Sequence, residues 1–172
     1  MVILGIDPGT ATTGYGIIKR EGSSYNLIVY GVIKTPADLP LTARLYIIYE
    51  ELTKLIKIYQ PDVCAIEELF FNKNTRTALS VGQARGVALL TVALAGLSLS
   101  EYTPLQVKQA VAGYGRADKY QIQSMVKLLL NMKETPKPDD AADALAIALC
   151  HGQVSKSRHE IKYVSIFGGQ RK

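Results

Sequence analysis

Four acidic side chains in this sequence stand where a carboxylate is costly unless something positive meets it. Asp7 closes the apolar run Val2-Ile3-Leu4-Gly5-Ile6, and Glu67 closes Val63-Cys64-Ala65-Ile66. Asp140 and Asp143 are three apart, so on a helix they share one face, with Cβ atoms about 5–6 Å apart. Taken singly, each has an ordinary explanation. A strand-end carboxylate can face solvent, and acidic residues favour a helix N-terminus through capping and the macrodipole. Asp143, however, leads straight into Ala144-Leu145-Ala146-Ile147-Ala148-Leu149, a helix apolar on nearly every side. If the four converge, mutual repulsion raises some of their pKa values or draws in cations. Oxygen ligands suit Mg2+ or Mn2+, and two such ions about 3.5–4 Å apart serve an in-line phosphoryl displacement. The expected cofactor is therefore Mg2+ or Mn2+, two per site, with Asp7, Glu67, Asp140 and Asp143 as catalytic metal ligands. No nucleophilic triad competes, and the Walker pattern G-x-x-x-x-G-K-[ST] is absent.

These positions need a scaffold, and the hydrophobic pattern supplies one. Val2 to Asp7 reads as a strand stopped by Pro8-Gly9, and Thr13 to Lys19 with Leu27 to Lys34 reads as a hairpin continuing from it. Leu41, Leu45, Ile48, Leu52, Leu55 and Tyr59 recur at helical spacing, and Pro61 ends that helix. Val63 to Ile66 is a buried strand. Asn74 to about Gly96 reads as a long Ala-rich helix whose Gly82 and Gly86 would permit close approach. Leu99 to Thr103 is a short strand, and helices follow at Pro104 to Ala112, Tyr120 to Met132 and Asp139 to Gln153. The expected class is α/β, a mixed five-stranded sheet flanked by helices on both faces. The domain is expected to span residues 1–155, with a basic tail over 156–172 in which Tyr163 to Phe167 could pair as a strand.

Composition narrows the partners. The net charge is +5, from 20 basic and 15 acidic residues. Setting the four candidate ligands aside leaves 20 basic against 11 acidic residues, a surround that suits a phosphodiester backbone. Lys73, Arg76, Arg85, Lys108, Arg116 and Lys119 are candidate phosphate contacts, although each alone reads as readily as a solvated surface cation. Phe70 and Phe71 cannot both enter one core; one could stack on an unpaired base, or cap the core, or meet a second subunit. The apolar stretch from Val87 to Leu99 falls short of the ~20 residues of a membrane span, and the start lacks a signal-peptide pattern. Cys64 and Cys150 read as buried thiols, and with His151 and His159 they make no zinc spacing. A cytoplasmic protein is expected.

Five collinear motifs across residues 2 to 153 resemble the RuvC family of Holliday-junction resolvases. They are Gly5-Ile6-Asp7-Pro8-Gly9-Thr10 with Thr13-Gly14-Tyr15-Gly16; Ala65-Ile66-Glu67 with Phe70; Gly82-Gln83-Ala84-Arg85-Gly86-Val87-Ala88; Val107-Lys108-Gln109 with Gly113 to Lys119; and Asp140-Ala141-Ala142-Asp143-Ala144-Leu145-Ala146. The resemblance implies an RNase H-like fold and a homodimer that makes paired nicks in four-way branched DNA, in recombination and repair. It implies a branch-migration helicase complex as partner, the four carboxylates as metal ligands, Phe70 at the junction centre, and Lys108 and Lys119 at the scissile phosphates. Because Glu68 follows Glu67 directly, the choice between them rests here on the Ala-Ile-Glu match. Three rivals remain at this level: an actin- or Hsp70-type ATPase, for which the chain is too short; a junction-binding protein without cleavage; and a related nuclease acting on structured RNA.

Overall fold

The structure, a computed structural model, describes residues 1–68 and 75–154, with backbone alone for 75–77. Three antiparallel strands open the chain: β1 (Val2–Asp7), β2 (Thr12–Glu21) and β3 (Ser24–Lys34). Helix α1 (Leu41–Tyr59) leads to β4 (Val63–Glu67), α2 (Thr75–Leu94) leads to β5 (Ser98–Tyr102), and α3 (Pro104–Ala112), α4 (Lys119–Leu129) and α5 (Asp139–Val154) follow. The sheet order is β3-β2-β1-β4-β5, with β4 parallel to both β1 and β5. It is the expected mixed five-stranded sheet.

Strand parity divides the core in two. Ile3, Ile18, Val63 and Ala65 pack with α3, α4 and α5 on one face. Leu4, Ile6, Ile17, Ile33, Cys64 and Ile66 pack with α1 and α2 on the other. Both cysteines are free and buried, as their apolar contexts predict. No helix among the described residues is long and apolar enough to cross a membrane.

Helix α5 owes its seat to glycines. Gly5 of β1 lies opposite Gly16 of β2, and Asp7 opposite Gly14. A Cβ at Gly5 would overlap the Ala144 carbonyl oxygen, one at Gly14 the Asp140 carbonyl oxygen, and one at Gly16 would sit 2.7 Å from the Leu145 side chain. The sheet is thus bare along a track on which the alanines of α5 lie. That is why α5 is buried almost all round, from Ala141 to Gly152. The long-helix glycine behaves otherwise: Gly86 of α2 is exposed and an added Cβ there would meet nothing among the described residues, so the close approach it permits is not made within the described part of the chain.

Candidate active site

The same parity that builds the core aims two carboxylates. Asp7 follows Ile3 and Gly5 on the face covered by α5, and Glu67 follows Val63 and Ala65 on that face. Ile6 pairs with Ile66 in parallel register, so Asp7 and Glu67 are the next residue on each of two adjacent strands. Above them lies the first turn and a half of α5, where the close contact at Gly14 sets Asp140 over the end of β1. Glu67 and Asp143 line one cavity of about 270 Å³ together with Lys108, Lys119 and apolar residues of α3, α4 and α5. Parity therefore distinguishes Glu67 from Glu68, which the sequence motif alone left to resemblance.

The turn after Asp7 is tied down by hydroxyls. Thr13 Oγ1 donates to the Gly9 carbonyl at 2.7 Å. Thr10 Oγ1 donates to the Ser80 carbonyl of α2 at 2.5 Å and accepts from Ser80 Oγ at 2.9 Å. Thr35 Oγ1 donates to the Thr10 carbonyl at 2.5 Å and accepts from Arg44 Nε of α1 at 2.8 Å. A buried polar chain of this kind rigidifies the turn that presents Asp7.

The carboxylates feel each other. Burial, then Asp143, Glu67 and Asp140, push the Asp7 carboxyl up to about 7, against a small opposing pull from Lys119. Burial and Asp143 raise Glu67, which Lys108 partly offsets. Burial raises Asp143 as well, opposed by Lys119. The Lys119 ammonium lies 3.1 Å from Asp139 and 3.4 Å from Asp143. Among the described residues no three acidic, histidine or cysteine side chains lie within ligating range of one point. Two lysines against four carboxylates leave an excess of negative charge. The donor set is all oxygen, which fits a hard divalent cation.

The remaining expected contacts divide. Lys108 and Lys119 line the acidic cavity, and Arg116 is exposed on the loop between α3 and α4. Arg85 stands apart from them. Its guanidinium ion-pairs with Glu101 and its side chain is only 14% exposed, so it is already engaged within the chain. Phe70 and Lys73 lie outside the described residues, as do Phe71, the side chain of Arg76 and the tail over 156–172. Two residues that sequence reasoning passes over join the site. Asp139 accepts from Gln123 at 2.9 Å and holds Lys119, and Glu101 holds Arg85. Asp139 adjoins a motif, which is a signal that could find it; Glu101 becomes significant only once β5 is paired with β4.

Lys119→Met is expected to slow DNA cleavage about 100- to 1000-fold, the scale of losing one charge-stabilising group at a phosphoryl centre. Because Lys119 lowers the Asp143 pKa, its loss should also move the acid limb of the pH–rate profile to higher pH. An unmoved limb would remove Lys119 from the electrostatics of the site.

A five-stranded sheet in this order, with acidic residues on two neighbouring strand ends and on the helix crossing them, defines the RNase H-like class. Comparison with known proteins narrows it. The family model for crossover junction endodeoxyribonuclease RuvC matches residues 3–151, and the chain belongs to that family. It is 59% identical to the crossover junction endodeoxyribonuclease RuvC of Desulforamulus reducens over the full length of both chains. It is similar in structure to Thermus thermophilus RuvC in complex with Holliday junction substrate, with a TM-score of 0.87 and 38% identity over 91% of this chain and 95% of the other. The yeast mitochondrial Holliday junction resolvase shares the fold, with a TM-score of 0.64, 18% identity and coverage of 88% and 78%.

Proposed function

We propose that this protein is a structure-specific endonuclease that resolves four-way DNA junctions by paired nicks, using divalent cations held by Asp7, Glu67, Asp140 and Asp143. The observation that carries this reading is the convergence of acidic positions from β1, β4 and α5 beside a cavity rimmed by Lys108 and Lys119. The family membership and the similarity to a junction-bound relative support the substrate. Mg2+ or Mn2+, when bound, supplies Lewis-acid stabilisation of charge in the phosphoryl displacement. The chain's own residues do the rest. The two strand ends fix Asp7 and Glu67 in adjacent register, α5 delivers Asp140 and Asp143 as a rigid pair, and the two lysines attract the phosphodiester. Arg116 adds to the non-specific hold on the backbone, with Phe70, Lys73 and Arg76 as further DNA contacts and the cytoplasm as the compartment.

A four-way junction has approximate twofold symmetry, which a C2 dimer matches with two identical sites. Leu79, Leu90 and Leu94 are 67%, 57% and 53% exposed along α2, with Gly86 open between them. This stripe is the proposed dimer surface. Leu90→Glu is expected to give monomers in sedimentation velocity without loss of fold, because the side chain it replaces is exposed. Persistent dimers would place the interface elsewhere.

The test of function is a synthetic four-way junction offered with Mg2+ beside linear duplex and structured RNA. Symmetric nicks in the junction alone are expected. Binding without nicking would make the protein a junction binder, and preferential cleavage of RNA would make it a nuclease of another kind.

A further inference from the structure

The unexpected placement of Arg85 has a functional reading. Glu67 and Glu68 are consecutive carboxylates at the end of β4, and one peptide unit joins them. Both polar groups of that unit are held. The Glu67 carbonyl accepts from Arg85 Nε at 3.3 Å, and the Glu68 N–H donates to the Tyr102 carbonyl of β5 at 2.8 Å. Arg85 is itself fixed by its ion pair with Glu101, a β5 residue opposite Ile66 in the parallel register. Helix α2, β4 and β5 thus meet at one peptide plane, immediately before residues 69–74.

Strand parity aims Glu67 at α5 only while β4 keeps its extended path, paired to β5, through its last residue. This peptide is where that path ends, and if it frayed from β5 the Glu67 side chain would no longer be held on the α5 face. We propose that Arg85 is a positioning residue that clamps the Glu67–Glu68 peptide at the end of β4 and so holds Glu67 in the acidic cluster. This rests on Glu67 being a ligand in the proposed function. The role needs arginine. A planar guanidinium offers Nε to one acceptor and a terminal nitrogen to another at the same time, whereas a lysine ammonium is a point charge without that fork. It also accounts for a cation of a basic protein whose side chain is only 14% exposed and whose guanidinium is engaged within the chain.

The test uses the full chain without DNA and measures Mn2+ binding by electron paramagnetic resonance. Glu67→Gln serves as a control on the site itself. Arg85→Lys keeps a charge beside Glu101 but removes the Nε donor. It is expected to weaken Mn2+ binding about 10- to 100-fold, to leave junction affinity and its salt dependence at wild-type values, and to recover its cleavage rate when Mn2+ is raised. A merely structural role would lower the melting temperature without moving the Mn2+ dependence. If Arg85→Lys does not fold, Glu101→Gln carries the comparison, with a smaller loss of Mn2+ affinity expected. Wild-type Mn2+ affinity in the folded clamp variant, alongside its loss in Glu67→Gln, overturns the clamp alone. Unchanged Mn2+ affinity with weaker, less salt-dependent junction binding overturns it in favour of a phosphate contact. Unchanged affinity in Glu67→Gln would instead overturn the assignment of Glu67 on which the clamp rests.

Discussion

Asp7→Asn is expected to abolish junction cleavage, by 1000-fold or more, while junction binding stays near the wild-type level. A 1000-fold loss corresponds to about 4 kcal/mol of transition-state stabilisation, the scale expected when a ligand central to a cation site is removed. Asparagine keeps the size of the side chain and removes its charge, so the DNA surface is unaltered. The same substitution is expected to stabilise the metal-free fold. Burial raises the Asp7 carboxyl from 3.8 to about 7, so the native state holds this proton more tightly than the unfolded chain does. The stabilising contribution of the protonated form is complete below the unfolded pKa near 4 and is lost as pH rises through about 7. At pH 8 the wild type therefore carries a buried charge that the Asp7→Asn variant lacks, a difference of roughly 2–4 kcal/mol. Melting curves of the metal-free proteins at pH 5 and pH 8 check this: the variant's advantage should be greater at pH 8. Adding Mg2+ at pH 8 should raise the wild-type melting temperature by linkage and do little for the variant. A variant that melts lower at pH 8 and has lost junction binding would make Asp7 a structural residue.

Gly5→Val is the second large effect, and it acts through the scaffold. Any side chain there meets the backbone of α5 at Ala144 and Ala148, and backbone cannot step aside as a flexible side chain can. Overpacking typically costs about 1–3 kcal/mol, and more where the obstacle is rigid. The helix is expected to lift from β1, taking Asp140 and Asp143 from Asp7 with it. Cleavage should fall below detection even at temperatures where the variant remains folded. Gly86→Val is the contrasting case, since an added Cβ there meets nothing among the described residues; valine is no poorer a helix former than glycine, so the subunit should keep its stability, and any effect should be confined to the proposed dimer surface on α2. Equal stability and activity for Gly5→Val would show that the glycine track does not seat α5.

Much of this architecture is legible in the chain because local signals and tertiary demands agree. Helix α1 runs over the Leu41–Tyr59 span its periodicity predicts, and α3 over Pro104–Ala112, with Thr103 and Gln106 forming a capping box. Asp118 and Gln121 do the same for α4. That helix ends at Leu129 rather than at the expected Met132, because Asn131 adopts a left-handed backbone at φ 50°, and apolar spacing alone does not reveal such a turn. Convergence of acidic residues is readable because each ends or begins a strongly apolar segment. The ion pair of Arg85 is not legible for a different reason. A basic residue in a long helix reads as surface until the β4–β5 register brings Glu101 beneath it. Asp139 as the anchor of Lys119 likewise depends on α4 and α5 being neighbours.

Anomalous diffraction from crystals grown with Mn2+ tests the central claim most directly. Manganese peaks are expected within about 2–2.3 Å of carboxylate oxygens of Asp7, with Glu67 and the Asp140–Asp143 pair closing around them. Peaks confined to other acidic residues, or none near Asp7 at Mn2+ concentrations that support cleavage, would contradict it.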